Sequence, residues 1–302
     1  MSKVPILFII FNRPEISLES FNQIRKYQPT ELYIAADGPR CECPSDVALC
    51  ERTRECILDA IDWNCNVHKL FRDKNIGVDF GVYTAINWMF ESETFGVVVE
   101  DDCFLSPDFF ELCESASAKY FNEDKIVHIV ANNTLPIAEV SAELYTCTFP
   151  MSWGWATWAH KWKTVMDIEM HGIENATYIN LIKKLGLLRG VMYHKYWHET
   201  FKNRKTLTTW DSIWQYSVMF NGYLSLIPAV NLAINSGIGT SEGTHFNSNS
   251  KNPYKGLKIG KMLKPYLWPE DLKPTRRIVW REKLSFLHLR LWGLCKLIRI
   301  VK

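Results

Sequence analysis

The chain has 302 residues, 47% apolar and 23% charged, with a formal net charge of +2. That balance fits a globular protein with a sizeable core, as one large α/β domain or two smaller ones. No apolar run reaches the roughly 18 residues of a membrane-spanning helix, and Val4 to Phe11 ends in Asn12-Arg13-Pro14 without a small-residue cleavage site, so the chain is expected to be cytoplasmic. Charge is unevenly spread. From Lys251 onward there are fourteen Lys and Arg against Glu270, Asp271 and Glu282, which leaves residues 1–250 acidic by nine and marks off a basic tail. Cys41, Cys43, Cys50, Cys56 and Cys65 crowd together without a paired C-x-x-C, a pattern that suits reduced thiols better than zinc or disulfides.

Val4 to Phe11 (VPILFIIF) reads as a fully buried strand. The polar Asn12-Arg13-Pro14-Glu15 after it starts a helix, with Pro near its first position, that runs to about Tyr27. Glu31 to Ala36 predicts a second strand ending in Asp37-Gly38-Pro39-Arg40, and a helix follows from Ser45 to about Ile61. A third strand over Val67 to Phe71 ends at Arg72, before a helix from Asp79 to about Glu91. Val97 to Val99 then run straight into Glu100, Asp101 and Asp102, and the chain turns at Ser106-Pro107 into a helix to about Phe121. Ile126 to Ala131 predicts the next strand. Strands alternating with helices at this spacing predict a mostly parallel sheet covered on both faces, whose ligands gather at the carboxyl ends of the strands.

Asn12, Arg13, Asp37, Arg72 and the three acids all stand at such ends. Each has an ordinary alternative: a helix cap for Arg13, a turn for Asp37-Gly38, a surface charge for Arg72 and an acidic turn for the acids. Three adjacent acids repel one another, and a fold keeps them together most readily where a cation or polar ligand compensates them. Taken together the groups suit an anion held by Arg13 and Arg72 with a cation on the carboxylates, as a nucleotide diphosphate and its metal require. Neither G-x-x-x-x-G-K-[ST] nor G-x-G-x-x-G occurs, which counts against an ATPase or a dinucleotide enzyme.

The second half changes character. Phe149 to Trp162 carries Trp153, Trp155, Trp158 and Trp162 around Gly154. Aromatic faces suit the apolar faces of sugar rings, so Trp153, Trp155 and the later Trp210 are candidate acceptor contacts, with an aromatic core as the competing reading. Tyr178 to Lys205 reads as polar and helical. In Trp210-Asp211-Ser212-Ile213-Trp214 an acid sits between two indoles, where an apolar setting favours a general base and a helix N-cap is the structural alternative. A strand over Tyr223 to Ile227 leads through Asn231 to Asn235 into the Gly- and hydroxyl-rich Ser236 to His245, a loop suited to cover a ligand, with His245 a candidate metal ligand. The tail from Lys273 to Lys302 spaces Leu284, Leu287, Leu291, Leu294 and Ile298 helically among Arg, Lys and Trp. This is the composition of an interfacial helix on anionic lipid, with an oligomerisation helix as the alternative; no nucleic-acid recognition module precedes it.

The strand Pro5 to Phe11 with Asn12-Arg13, the strand end at Asp37, Glu100-Asp101-Asp102 followed by Pro107-Asp108-Phe109-Phe110, and Trp210-Asp211 resemble the GT-A nucleotide-diphospho-sugar glycosyltransferases. Among these they are most similar to the N-acetylglucosaminyltransferase I group and its bacterial relatives; Phe149 to Trp158 and Asn231 to His245 resemble segments of the bacterial relatives. The resemblance implies a GT-A fold, Rossmann-like with a mostly parallel central sheet flanked by helices. Residues 1–135 would form the nucleotide-sugar half and 136–250 the acceptor and catalytic-base half, with 251–302 as a basic amphipathic tail outside the family pattern. By position it implies that Asp102 binds Mn2+ or Mg2+, that Asp101 contacts ribose and sugar with Glu100 in support, and that Arg13 and Asp37 contact the donor, Asp37 facing the uracil. It also implies that Asp211 is the catalytic base. Ser212 stands where the animal enzymes carry a second acid.

The expected function is therefore an inverting, metal-dependent hexosyl- or N-acetylhexosaminyltransferase, peripheral on the inner face of the cell membrane. It would move sugar from a nucleotide-sugar, foremost a UDP-sugar, to a glycan or lipid-linked saccharide. A sugar nucleotidyltransferase shares the sheet and the metal logic but normally needs a Gly-rich triphosphate loop near the first strand. A non-catalytic sugar-nucleotide or glycan-binding protein would keep the aromatic face without using the base.

Overall fold

The computed structural model describes residues 3–204, 210–236, 254, 256–282 and 284. In chain order the first elements are β1 (Ile6–Ile10), α1 (Pro14–Tyr27), β2 (Glu31–Ala36), α2 (Ser45–Asp59), β3 (Asn66–Phe71), α3 (Val78–Met89) and β4 (Phe95–Glu100). After a turn through Asp101 and Asp102 come β5 (Cys103–Leu105), α4 (Pro107–Lys119), β6 (Ile126–Val130), β7 (Val140–Cys147), β8 (Trp155–Trp158) and α5 (Ala159–Val165). The helices α6 (Tyr178–Leu185), α7 (Leu187–Asn203) and α8 (Trp210–Asn221) precede β9 (Leu224–Pro228), β10 (Ala233–Asn235) and β11 (Lys261–Leu267). Among the described residues nine strands form one sheet in the order β11-β7-β9-β6-β8-β4-β1-β2-β3, and β5 pairs with β10 in a small ladder.

The sheet is the α/β arrangement that the strand–helix alternation predicts. β1 pairs in parallel with β2 and β4, and β2 with β3, so their carboxyl ends share one edge and Arg13, just past β1, comes beside the acids after β4. Side chains alternate along each strand, which gives the sheet two cores. Ile6, Phe8, Leu32, Ile34, Val97 and Val99 pack with Phe21 of α1, Ile57 of α2 and Phe109 of α4. Leu7, Tyr33, Ala35 and Val98 point the other way, toward Val82 of α3, Trp162 of α5 and Trp214 of α8.

β8 has no counterpart in the sequence reading. It runs antiparallel between β4 and β6 and sends Trp155 into one core and Trp158 into the other, both fully buried. Gly154, which precedes it, has φ 71°, and a Cβ there would lie 2.5 Å from Leu105 Cδ2, so both backbone and space call for glycine. A third core lies between α6, α7 and α8 around Leu181, Trp197 and Tyr216. α6 and α7 close on it because Gly190 lets the backbones meet: a Cβ there would be 2.5 Å from the Ile182 nitrogen.

Residues 251–302 were expected to stand apart as a tail, but their described part is built into the fold. β11 pairs with β7, and the Met262 N–H donates to Asp108 at 2.8 Å. Farther on, in a helical segment over 276–282, Glu282 accepts from the Thr148 N–H at 2.6 Å and pairs with Arg189 at 3.3 Å. The reason is edge chemistry, since β7 would otherwise leave a row of unpaired N–H and C=O groups.

A bulge in β6 between Ile126 and His128 turns His128 toward the tryptophans. Its fully buried ring donates from Nε2 to the Met151 carbonyl at 2.9 Å and accepts the Trp214 indole N–H at Nδ1, 3.1 Å away. Only the neutral ring fits, and burial pushes its pKa down to about 3. In the unfolded chain the same ring titrates near pH ~6.5, so acidification protonates the unfolded state first. The stability contributed by neutral His128 is therefore complete above that pH and drains away as pH falls toward the folded value, by about 1.4 kcal/mol per pH unit. The stability advantage of wild type over His128→Gln is expected to shrink at that rate from about pH 6.5 to 4.5, which denaturant unfolding at several pH values will check.

Candidate active site

Glu100 ends β4 opposite Ile9 of β1, and Asp101 and Asp102 form the turn into β5. That turn is clamped from both halves of the chain. Ser20 Oγ of α1 donates to the Cys103 carbonyl at 2.6 Å, while Asn235 of β10 pairs with Cys103 across the β5 ladder. The ladder register brings Asn235 Nδ2 to 2.9 Å from Asp102 Oδ1 and the Ser236 N–H to 2.9 Å from the Asp102 carbonyl. From the other side the Arg13 guanidinium reaches Asp101 Oδ1 at 2.6 Å and Asp102 Oδ2 at 3.4 Å. Asp101 is 3% exposed and also accepts from Ser17 Oγ at 3.3 Å.

Among the described residues one guanidinium faces three carboxylates, which leaves the turn short of positive charge. Burial first, then the charges of Asp102, Asp101 and Asp211, pushes the Glu100 carboxyl well above the usual carboxylate range. Burial likewise raises Asp101 against the pull of Arg13. Asp211 belongs to the first turn of α8, in the other half of the chain, yet its charge reaches Glu100. The capping that was the structural alternative for Asp211 falls partly to Asp79 of α3, which accepts the Trp210 N–H at 2.7 Å. Asp211 Oδ1 accepts the N–H of its neighbour Ser212 at 2.9 Å.

Other expected donor contacts are engaged by the chain itself. Asn12 donates at 2.8 Å to Asp46, which Arg40 clamps at 2.6 Å and holds down to about pKa 2. The Asp37 carboxylate, expected to face a uracil, accepts from the backbone N–H groups of Ile76 and Gly77, each at 3.1 Å, and so shapes the loop into α3. Arg72 donates to Thr84 Oγ1 at 2.7 Å. The acceptor assignment fails for Trp155 and Trp210, which are 0% and 5% exposed. Trp155 stacks with His128 at 4.8 Å and with Trp210 at 5.8 Å, so it offers no face to a sugar. Trp153 is half-buried and meets Tyr254 edge to face at 4.9 Å. His245 lies outside the described residues.

Among the described residues no three His, Cys, Asp or Glu side chains are grouped to hold a metal. A hard cation carried on phosphates needs only one or two protein carboxylates, and Asp102, with a side chain 17% exposed against 5% for Asp101, presents one. Beside it the Asn235 Oδ1 is buried without a hydrogen-bond partner, an oxygen of the right hardness. These residues fit a phosphate-borne Mn2+ or Mg2+. Asn235 carries no signal of its own in the sequence, because only the β5–β10 register brings it to Asp102.

No family model and no curated protein matches the sequence. The fold is similar to that of a cytidylyltransferase from Leptospira borgpetersenii, at 11% identity and a TM-score of 0.35 over 55% of this chain and 64% of that one. It is also similar to a mannosyltransferase from Pyrobaculum calidifontis in complex with GDP-Man and Mn2+, at 10% identity and a TM-score of 0.33 over 73% of this chain and 75% of that one. Another is the glycosyltransferase GlyE of Streptococcus pneumoniae, at 13% identity and a TM-score of 0.35 over 98% of this chain and 64% of that one. The chain thus spans less than two thirds of the first of these proteins. Likeness this distant leaves function to the geometry of the site.

Asp102→Asn removes one charge from the turn while its amide oxygen can still accept from Asn235. Without ligand this variant is expected to be as stable as wild type or more so, by up to about 1 kcal/mol. Arg13→Met, which strands the carboxylates, should lose about 2 kcal/mol or more. Denaturant unfolding of both variants at pH 7.5 decides this, and a marked loss in Asp102→Asn would make that acid structural.

Proposed function

We propose that the chain is an inverting glycosyltransferase, transferring a hexosyl or N-acetylhexosaminyl group from a nucleotide diphosphate, foremost UDP, to a hydroxyl of a glycan or lipid-linked saccharide. What supports this reading is the seating of α8: Trp210 stacks on Trp155 of β8, the strand paired with β4, and Asp79 holds its N–H, so that the charge of the next residue, Asp211, is among those that raise the Glu100 carboxyl. A site that only held a nucleotide and its cation would gain nothing from a fourth acid that adds to the repulsion. A site that must also take a proton from an incoming hydroxyl needs one. Within the class, the order of motifs favours the N-acetylglucosaminyltransferase I group and its bacterial relatives.

Burial divides the labour. Asp102 and Asn235 are the residues to hold a cation, and when bound, Mn2+ or Mg2+ would offset the charge of the departing diphosphate. Arg13 is the guanidinium at hand for a phosphate oxygen, and Asp101 orients it through their 2.6 Å pair. Asp211 takes the proton of the acceptor hydroxyl as that oxygen bonds to the anomeric carbon. The bond from that carbon to the diphosphate oxygen breaks, its electron pair leaving on the nucleotide, and attack opposite the leaving group inverts the centre. A sugar nucleotidyltransferase is disfavoured by the turn after β1, which reads Phe11-Asn12-Arg13-Pro14 and contains no glycine.

Asp211→Asn keeps an oxygen for the Ser212 N–H and loses the base. Transfer is expected to fall by roughly 10²- to 10⁴-fold while calorimetry with UDP-sugars and Mn2+ gives an unchanged donor affinity; turnover equal to wild type would refute the assignment. In the same set, nucleotide-sugars should raise the melting temperature with Mn2+ and lose most of that effect when the metal is chelated.

A further inference from the structure

The hairpin of α6 and α7 turns one side into the third core, through Leu181, Leu185, Tyr193 and Trp197. Its outer side is apolar where a solvated helix would be polar. Leu187 is 70% exposed, Ile179 66%, Leu188 49% and Val191 42%. Leu187, Leu188 and Val191 lie three and four residues apart on one face of α7, which continues into the exposed Lys195. Clustered exposed apolar side chains of this kind mark a contact surface. The hairpin is also basic, with six Lys and Arg from Tyr178 to Arg204 against Glu199 alone; Arg189 and Arg204 pair with Glu282 and Glu169 and Lys184 donates to the Phe220 carbonyl, while Lys183, Lys195 and Lys202 stand exposed. The ion pair of Arg189 with Glu282 joins this face to the 276–282 segment, whose Trp280 is 63% exposed.

We infer that the outer face of the α6–α7 hairpin, continued by Trp280, is a membrane-docking surface that seats on anionic lipid. Its leucines and isoleucine enter the interface and its lysines meet the headgroup phosphates. Charge selects this occupant over the two others at hand. Residues 285–302 contain Arg290, Lys296, Arg299 and Lys302 and no acid, so laying them on the hairpin would set like charges together. A second copy of the same face would do the same, whereas an anionic bilayer complements both segments. Tyr196 of α7 is hydrogen-bonded to Ser212 in the first turn of α8, next to Asp211, which ties the hairpin to the helix that carries the proposed base. That a lipid-borne acceptor is delivered there rests on the glycosyltransferase reading; the docking does not.

The test is hydrogen exchange of the full chain with vesicles of phosphatidylglycerol and phosphatidylcholine, and with phosphatidylcholine alone. Peptides covering residues 178–196 should gain protection only with the anionic vesicles. The double variant Leu187→Glu, Leu188→Glu, whose sites are exposed and whose melting temperature should match wild type, is expected to bind those vesicles at least about tenfold more weakly. Vesicle binding that leaves 178–196 unprotected, or equal binding by the double variant, would overturn the proposal, as would no binding at all. Protection without vesicles would overturn it too, in favour of a second copy if it grows with protein concentration and of residues 285–302 if it does not. None of these readouts involves sugar transfer, so a failed donor site and a failed docking face are told apart.

Discussion

Among the described residues, three carboxylates in a row at the end of β4 share a single guanidinium, and the surrounding structure is arranged to hold that imbalance in place. Arg13 can reach Asp101 and Asp102 only because β1 and β4 are parallel neighbours in the sheet, which sets the segment after one beside the turn after the other. The turn cannot relax by splaying, because β10 pins β5 on its far side and Asn235 and Ser236 hold Asp102. Such an arrangement works against stability in a ligand-free protein. It persists because two well-filled cores on the faces of the sheet supply far more than it removes. Groups kept at such a cost mark a functional site more reliably than any exposed charge.

The tryptophans serve the same site indirectly. Trp155, Trp162 and Trp214 pack against one another on the face of the sheet that receives α8. His128 locks Trp214 through its indole N–H, and Asp79 receives the first amide of the helix. The result is a firmly seated first turn of α8, the turn that carries Asp211. The aromatic richness of the second half is therefore largely a matter of core packing around α8, whereas Trp153 is only half-buried. The α6–α7 hairpin extends this seating outward, since Tyr196 holds the first turn of α8 and the opposite side of the same helices is apolar and basic.

Local pattern was enough for the first half of the fold. The strand runs over 6–10 and 31–36, the helices starting at Pro14, Ser45 and Pro107, and the acidic strand end are all visible in the sequence, because hydrophobic periodicity and helix-start chemistry act between near neighbours. The second half was less legible. β8 and β10 are only four and three residues long, β11 is largely exposed and pairs with β7 in a shifted register, and the partners of all four lie far off in the chain, so no local signal announces them. The basic composition of the last fifty residues suggested a detached tail, yet β11 completes a sheet edge, because backbone hydrogen bonding at an open strand is indifferent to side-chain charge.

At the site itself, residue order alone places the acids after Val99 at a strand end, Arg13 after a buried strand, and Asp211 among indoles. Which carboxylate keeps an exposed oxygen, which is buried against Arg13, and which asparagine stands beside the metal candidate were decided only by tertiary structure. So were the burial of Trp155 and the engagement of Asp37 by loop amides. The physical reason is the same in each case. Residue type sets what a group can do, but its charge state, exposure and partners depend on neighbours that strand order and register bring in from elsewhere in the chain.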